Sequence, residues 1–301
     1  MSRLPSYLEL HEKGLLKNRA ASLREILTDC RLCPHGCGVD RIAGERGLCK
    51  TGVRAVVSAF HPHRGEEACL SGRRGSGTIF FTHCNLACIF CQNYDISHQG
   101  RGEEVSAGEL AGMMLRLQDM GCHNINLVSP THQVPAIVEA LIEAVPRGLR
   151  LPLVYNTGGY DAVPTLELLE DIVDIYMPDF KYMDSESARE MSGAEDYPVA
   201  AMAALREMHR QRGDLHIDDE GLAHRGLLVR HLILPNNRAA TDRVLAFLAD
   251  LSKNTYVNLM DQYRPEYRAR ECFDLRRRIT LQEYDEAVAT ARSLGLYRLD
   301  R

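Results

Sequence analysis

Short apolar runs alternate with amphipathic segments along most of this chain, and the two patterns predict strands and helices in turn. Runs of apolar residues between turn residues predict buried strands, whereas apolar positions at three- and four-residue spacing predict helices. Strands are predicted at 78–82, 124–128, 151–156, 174–177, 227–234 and 257–260. Helices are predicted at 106–120, 134–144, 166–170, 197–211, 241–251 and 281–293.

Strand–helix units that repeat in this way predict an α/β fold with a parallel sheet covered by helices. There are six units from residue 78 onward, fewer than the eight that close a TIM barrel. Residues 1–29 have a helical pattern, and 53–60 reads as a strand. We expect residues 1–60 to form an N-terminal extension and 61–301 the main domain. The active site is expected at the carboxyl ends of the strands.

Composition narrows the class of protein. The 301 residues are 45% hydrophobic and 26% charged, as in ordinary globular proteins, and the net charge of −5 disfavours nucleic acid as the main partner. No apolar run approaches the length of a membrane span, and the first residues lack a secretion signal. Ten cysteines in such a chain indicate metal binding in a cytoplasmic protein.

Three of the cysteines lie close together in one loop. Cys84, Cys88 and Cys91 have the spacing C-x3-C-x2-C, with the aromatic Phe90 just before the last one. Three thiolates can each bind one iron of a [4Fe–4S] cubane and leave the fourth iron open, whereas electron-transfer clusters of this type normally have four cysteine ligands. The alternatives are half of a zinc site or buried thiols without a ligand.

A second group precedes this loop in the chain. Cys30, Cys33, Cys37 and Cys49 have the spacing C-x2-C-x3-C-x11-C, with glycines that permit tight turns between them. Four thiolates close a coordination shell, so the group fits either a structural zinc or a fully ligated iron–sulfur cluster. Four unligated thiols are the third interpretation. The sequence does not separate zinc from iron–sulfur.

The three-cysteine loop resembles that of the radical S-adenosylmethionine (SAM) enzymes. The likeness is to the branch similar to pyruvate formate-lyase activating enzymes and spans roughly residues 25–265. It implies a partial (β/α)6 TIM-like barrel in which the open iron binds SAM. Reduction of the cluster then cleaves SAM to methionine and a 5′-deoxyadenosyl radical, which abstracts hydrogen from a substrate.

The resemblance also implies roles for residues at the strand ends. Ser129 and Thr131 are expected near the SAM amino group, and Asn156 and Thr157 near the ribose. Lys181 and Arg230 are expected at the SAM carboxylate, and Met177 and Asp179 beside a monovalent cation. Phe90 is expected to contact the cofactor. Substrate contacts are expected from Gln262, Tyr263 and Arg264, although Tyr263 is equally consistent with a packing residue.

In this branch the substrate is a glycine of a glycyl radical enzyme, so a protein or peptide substrate is expected, with a flavodoxin- or ferredoxin-type protein as electron donor. A radical SAM enzyme that modifies a small metabolite is the first alternative. A non-catalytic iron–sulfur or zinc scaffold is the second. The number of cysteine ligands distinguishes the scaffold from the two enzyme alternatives, because an electron carrier gains nothing from an open iron beside Lys181 and Arg230.

Overall fold

The computed structural model describes residues 4–300, and its centre is a sheet built mainly from parallel strands. The strands are β1 (Ala55–His63), β2 (Ser76–Phe81), β3 (Glu103–Val105), β4 (Ile125–Val128), β5 (Leu153–Thr157), β6 (Ile175–Pro178), β7 (His216–Ile217), β8 (Ala223–Leu232) and β9 (Tyr256–Met260). The pairings β2–β4–β5–β6–β8–β9 are all parallel. β1 pairs antiparallel with β2 and β3, and β7 antiparallel with β8.

Helices cover this sheet and link its strands. They are α1 (Tyr7–Glu12), α2 (Leu15–Glu25), α3 (Ala68–Ser71), α4 (Tyr94–Ser97), α5 (Ala107–Asp119), α6 (Val134–Ala144), α7 (Val163–Leu168), α8 (Ser185–Ser192), α9 (Tyr197–Arg212), α10 (Thr241–Leu251) and α11 (Leu281–Ser293). Ser106 is the N-cap of α5, and it forms a capping box with Glu109. The resulting architecture is a partial TIM-like barrel, which confirms the predicted fold class.

The six predicted parallel strands are all present, and α6, α10 and α11 have the predicted bounds. The sequence analysis did not predict α3, α4, α8, β3 or β7. The predicted strand at 53–60 is β1, and its antiparallel direction was not anticipated. The predicted domain boundary at residue 60 falls inside β1, so the main sheet begins before it. The division into two domains stays a prediction.

The amino ends of the strands are closed by the N-terminal helix. The Tyr7 hydroxyl donates to the Leu151 carbonyl (2.8 Å), and the backbone N–H of Ser6 donates to Asp174, just before β6. Inside the barrel, α3 contributes Cys69 and Leu70 to an apolar cluster that includes Ile175. This end of the barrel is therefore packed with apolar side chains. No helix within residues 4–300 is long and apolar enough to cross a bilayer.

Candidate active site

The three-cysteine loop, residues 84–91, follows β2 at the carboxyl end of the sheet and is held from two sides. The backbone N–H groups of Ala87 and Ile89 donate to the carbonyl oxygens of Ser192 (3.0 Å) and Met191 (2.9 Å) at the end of α8. On the other side, the Arg268 N–H donates to the Ile89 carbonyl (2.8 Å). Because its own backbone groups are paired with other elements, the loop has a defined shape before any ligand arrives.

The thiols of this loop lie in a mostly buried environment. Burial and the neighbouring Cys88 raise the pKa of Cys84 to about 12, and burial likewise raises the pKa of Cys88. The Cys88 sulfur lies 2.9 Å from the Ser192 hydroxyl, and the Cys91 sulfur lies 3.1 Å from the Ser97 hydroxyl. A bound metal cation is the partner that turns such thiols into thiolates. Three cysteines from one preformed loop fit three irons of a cubane.

Phe90 and Tyr263 pack against each other behind the cysteines, with ring centroids 6.0 Å apart. Phe90 also contacts the Tyr182 ring edge-on, and both Phe90 and Tyr263 are buried. The Tyr263 hydroxyl donates to the Leu275 carbonyl (2.8 Å), so this side chain has the contacts of the packing alternative. A substrate role for Tyr263 and a cofactor contact for Phe90 stay predictions.

Lys181 and Asp179 form an ion pair near the cysteines, with Lys181 Nζ 2.6 Å from Asp179 Oδ2. Burial opposes the charged ammonium, but the attraction of Asp179 outweighs it, and the pKa of Lys181 is raised. The Cys88 thiol is another of its electrostatic neighbours. The two side chains meet, as an ordinary ion pair at a strand end also would, and their place beside a cluster stays a prediction. The ligand each one binds stays a prediction.

Arg230 has partners that the sequence analysis missed. Its guanidinium donates to both Glu67 oxygens (2.7 and 3.0 Å) and also pairs with Glu66. The Asn258 side chain donates to Glu67 (2.8 Å). Burial and the nearby Glu67 raise the pKa of Glu66, whereas Arg230 outweighs burial at Glu67 and lowers its pKa. Contact between Arg230 and a SAM carboxylate stays a prediction.

Together these groups give the inner face of the barrel an uneven charge. Asp179 pairs in the sheet with Arg230, which joins the Lys181 pair to the pair of glutamates. Two cationic side chains therefore face three carboxylates, of which Glu66 has a raised pKa. We call these five side chains, Glu66, Glu67, Asp179, Lys181 and Arg230, the charged layer.

Thr131 and Thr157 lie side by side, but both hydroxyl groups donate hydrogen bonds to a further carboxylate, that of Asp161. Asp161 accepts hydrogen bonds from Thr131 (2.7 Å), Thr157 (2.6 Å) and the Tyr155 hydroxyl (2.9 Å). Burial raises the pKa of Asp161 against these three donors. The hydroxyls hold the β4 and β5 ends together, and their expected contacts with SAM stay predictions.

Ser129, at the end of β4, has a left-handed backbone with φ 57°, and its N–H donates to the Asn156 carbonyl (2.8 Å). Strained conformations of this kind in non-glycine residues concentrate at functional sites. The Asn156 amide oxygen lies 3.4 Å from Arg230. In the turn after β5, a Cβ atom at Gly159 would collide with the Asp179 carbonyl oxygen. Only glycine therefore lets this turn approach β6.

The remaining predicted site residues lie at different heights in the barrel. Met177 is fully buried in the apolar cluster around α3, below the charged layer. Gln262 and Arg264 are exposed, and the Gln262 carbonyl accepts a hydrogen bond from Gln92 (3.2 Å) next to the three-cysteine loop. Their roles in binding a cation or substrate stay predictions.

All ten cysteines are free thiols. Within residues 4–300, no three His, Cys, Asp or Glu side chains converge closely enough to share one metal ion. The three-cysteine loop fits a cluster through its donor set, because each thiol binds its own iron in a cubane. The zinc, second-cluster and monovalent-cation predictions are not tested by this geometry.

Comparison with known proteins adds two findings. The family model of the radical SAM superfamily matches residues 78–217. The chain is also similar to a protein of Methanocaldococcus jannaschii named "Uncharacterized protein MJ0674", with 31% identity over 299 residues. That alignment covers 96% of this chain and 82% of the relative. The matched family region runs from β2 to β7 and contains the three-cysteine loop.

Proposed function

The chain belongs to the radical SAM superfamily, and we propose that it is an activating-type enzyme that takes hydrogen from a protein or peptide. A radical SAM domain implies a [4Fe–4S] cluster and SAM. Bound together, these supply the reductive cleavage of the sulfonium to methionine and a 5′-deoxyadenosyl radical. We propose which residues hold the cluster and SAM, and which class of substrate reacts with the radical.

The observation that carries the proposal is the position of three thiols beside a layer of buried charge. Cys84, Cys88 and Cys91 would hold three irons, and no fourth cysteine lies in their loop. Lys181 would donate to the SAM carboxylate as a compact cation. The carboxylates of the charged layer, with Glu67 held ionised by Arg230, would attract the sulfonium.

A macromolecular substrate is supported by exposed apolar side chains beside the loop. Leu48 is 66% exposed and lines the same cleft as Cys84. Tyr267 is 39% exposed and stacks on Tyr94 and on His98, with ring centroids 5.1 and 4.6 Å apart. Exposed apolar and aromatic side chains around a site are typical of protein-binding surfaces. An electron donor of the flavodoxin or ferredoxin type must reach the same end.

The cleavage reaction has a direct test. The protein is reconstituted anaerobically with iron and sulfide, then given dithionite and SAM, and 5′-deoxyadenosine is measured by chromatography. We expect wild type and Cys272→Ala to form it, because Cys272 lies outside both cysteine groups. Cys88→Ala is expected to give only background. Equal product from wild type and Cys88→Ala would overturn the proposal, and the scaffold alternative would then remain.

The substrate class is tested by fractionating an anaerobic extract of the source cells through a membrane that retains proteins. Our proposal predicts that the retained fraction stimulates formation of 5′-deoxyadenosine, and that protease treatment removes the stimulation. Stimulation by the filtrate alone would favour the small-metabolite alternative.

A further inference from the structure

The chain between β9 and α11 is positively charged, whereas the protein as a whole is negative. Residues 264–278, which we call the arginine segment, hold six arginines and three carboxylates, a net charge of +3 in a chain whose net charge is −5. Arg268 pairs with Glu271, and Arg277 pairs with Glu283. Within residues 4–300 the other four arginines have no ion pair, and all are exposed: Arg264, Arg270, Arg276 and Arg278. A surface of this kind attracts a partner of negative charge.

The arginine segment is in direct contact with the three-cysteine loop. The Arg268 N–H donates to the Ile89 carbonyl (2.8 Å). Tyr267, the residue before Arg268, has a left-handed backbone with φ 51°. Such strain in a residue other than glycine persists only where the surrounding contacts hold it, and it concentrates at functional sites. Here the strained residue is an exposed tyrosine beside the loop.

Tyr267 belongs to a stack of rings that leads from the surface to one of the three cysteines. Its ring is 39% exposed and lies on the His98 ring, with centroids 4.6 Å apart, and on the Tyr94 ring at 5.1 Å. The His98 ring donates from Nε2 to the Cys88 carbonyl (3.1 Å). One ring contact and one hydrogen bond therefore connect an exposed ring with the backbone of Cys88.

This route suits the delivery of an electron better than the binding of a substrate. The substrate must meet the radical beside the bound SAM, whereas the route ends on the backbone of a cysteine in the loop. Electron transfer between proteins is fast only over short distances, so a donor must dock close to such a route. The exposed ring offers that donor an aromatic contact, and the unpaired arginines offer it complementary charge.

We propose that the arginine segment is the docking surface for an acidic protein that delivers one electron at a time, with Tyr267 as its ring contact. In that step the reduced donor loses one electron, which passes to the cluster held by Cys84, Cys88 and Cys91, and no covalent bond forms or breaks. The inference rests on the proposed function, because it assumes a cluster at the three-cysteine loop. The cleft beside Leu48 is left to the substrate.

Stopped-flow measurement of cluster reduction tests the docking surface. Reconstituted protein without SAM is mixed anaerobically with an acidic flavodoxin in its fully reduced form, and the absorbance change that Cys88→Ala lacks is followed. Arg270→Glu/Arg278→Glu is expected to lower the second-order rate constant about tenfold or more in dilute buffer, since charge steering changes association rates by roughly 10- to 1,000-fold. The loss is expected to shrink in about 0.5 M salt, which screens exposed charges.

The matched control is Arg64→Glu/Arg73→Glu, which makes the same change of charge at the amino end of the sheet. Arg64 follows β1 and Arg73 precedes β2, and both are exposed arginines that have no ion pair in the described part of the chain. We expect this control to react at the wild-type rate. Equal losses in the two double variants would overturn the docking surface, because net charge alone would explain them. A wild-type rate in Arg270→Glu/Arg278→Glu would overturn it as well.

Two substitutions of Tyr267 test the ring contact. With flavodoxin in excess, Tyr267→Ala is expected to lower the limiting rate of cluster reduction, whereas Tyr267→Phe, which keeps the ring, is expected to retain it. Equal limiting rates in wild type and both variants would contradict the route through this ring.

Dithionite separates this inference from the proposed function, because so small a reductant needs no docking surface. We expect dithionite to reduce the cluster of wild type and of every arginine and tyrosine variant completely. Slow reduction by flavodoxin in Arg270→Glu/Arg278→Glu, together with complete reduction by dithionite, would support the docking surface. A chain in which dithionite reduces no cluster would overturn the proposed function, and this inference with it.

Discussion

The two ends of the barrel differ in the side chains that fill them. At the amino end, α1 covers the sheet, Cys69 and Leu70 of α3 fill its interior, and Asp174 and Arg212 are buried charged side chains. At the carboxyl end, the interior holds Lys181 and the groups paired with Arg230, next to the three thiols. The amino end has the composition of a core, and the carboxyl end that of a binding site.

This difference matters because the same strands supply both ends. Met177 of β6 lies in the apolar cluster. Asp179, which follows two residues later in the chain, lies in the charged layer. A substitution is therefore expected to affect stability or ligand binding according to its height along a strand. α/β barrels in general keep stability at one end and chemistry at the other. Substitutions at the two ends test whether this chain does so.

Arg230→Met is expected to have the largest effect, because Arg230 pairs with two buried carboxylates. Without the guanidinium, Glu66 and Glu67 remain buried without their cationic partner, at a cost of about 3–5 kcal/mol in unfolding free energy. Urea denaturation measures the loss. Adding Glu67→Gln to Arg230→Met is expected to restore part of it. A matched control is Arg268→Met, whose ion pair with Glu271 is exposed and whose loss is expected to change stability little. An Arg230→Met protein as stable as wild type would contradict the charged layer described here.

Asp174→Asn tests the amino end through its pH dependence. Burial raises the pKa of Asp174 from 3.8 to about 6, even though Leu153 and Ser6 donate to it. Between about pH 4 and 6 the folded state binds a proton that the unfolded state has lost, so this group's contribution to stability falls as pH rises through that window, by about 2–3 kcal/mol. Denaturation curves from pH 3 to 7 are expected to lose this component in Asp174→Asn but keep it in Asp119→Asn, an exposed control. Parallel curves for wild type and Asp174→Asn would show that the shift is absent.

Lys181→Met is expected to affect folding less than Arg230→Met, because its single partner Asp179 is more exposed than Glu66 and Glu67, and to have a specific effect on binding. Loss of a charged hydrogen bond of about 1.5 kcal/mol corresponds to roughly tenfold weaker SAM binding. Calorimetry on reconstituted protein measures the dissociation constant, with Asp174→Asn as the variant that should leave it unchanged. Equal affinity in wild type and Lys181→Met would place the SAM carboxylate elsewhere.

The sequence predicts the fold well where the evidence is local. Continuous apolar runs give the six parallel strands, and apolar positions at three- and four-residue spacing give most helices. This spacing fails for α3, whose four residues are too few for a helix to form alone and are held by the barrel interior. It also misses α8, a polar segment in which Ala188 and Met191 are the only residues that are both apolar and buried. The direction of β1 depends on its pairing with distant strands, which no local pattern contains.

The site residues also divide into those that local sequence reveals and those that depend on contacts between distant segments. Cys84, Cys88 and Cys91 can be found from spacing because one loop supplies all three. Glu67 could not be found in this way, since its partner Arg230 lies 163 residues further along the chain. A physical signal existed, because an arginine within an apolar strand requires a buried anion. Glu66 and Glu67, which precede a short apolar run in the sequence, could have been proposed as that anion.

EPR spectroscopy of the reduced protein, with and without SAM, tests the central claim most directly. If three cysteines hold the cluster at residues 84–91 and one iron accepts SAM, adding SAM changes one component of the spectrum in wild type. Labelling SAM with ¹⁵N or ¹⁷O at its amino acid end then broadens or splits that component, and the effect is absent in Cys84→Ala. A spectrum that SAM leaves unaltered, or a change that persists in Cys84→Ala, would contradict the account.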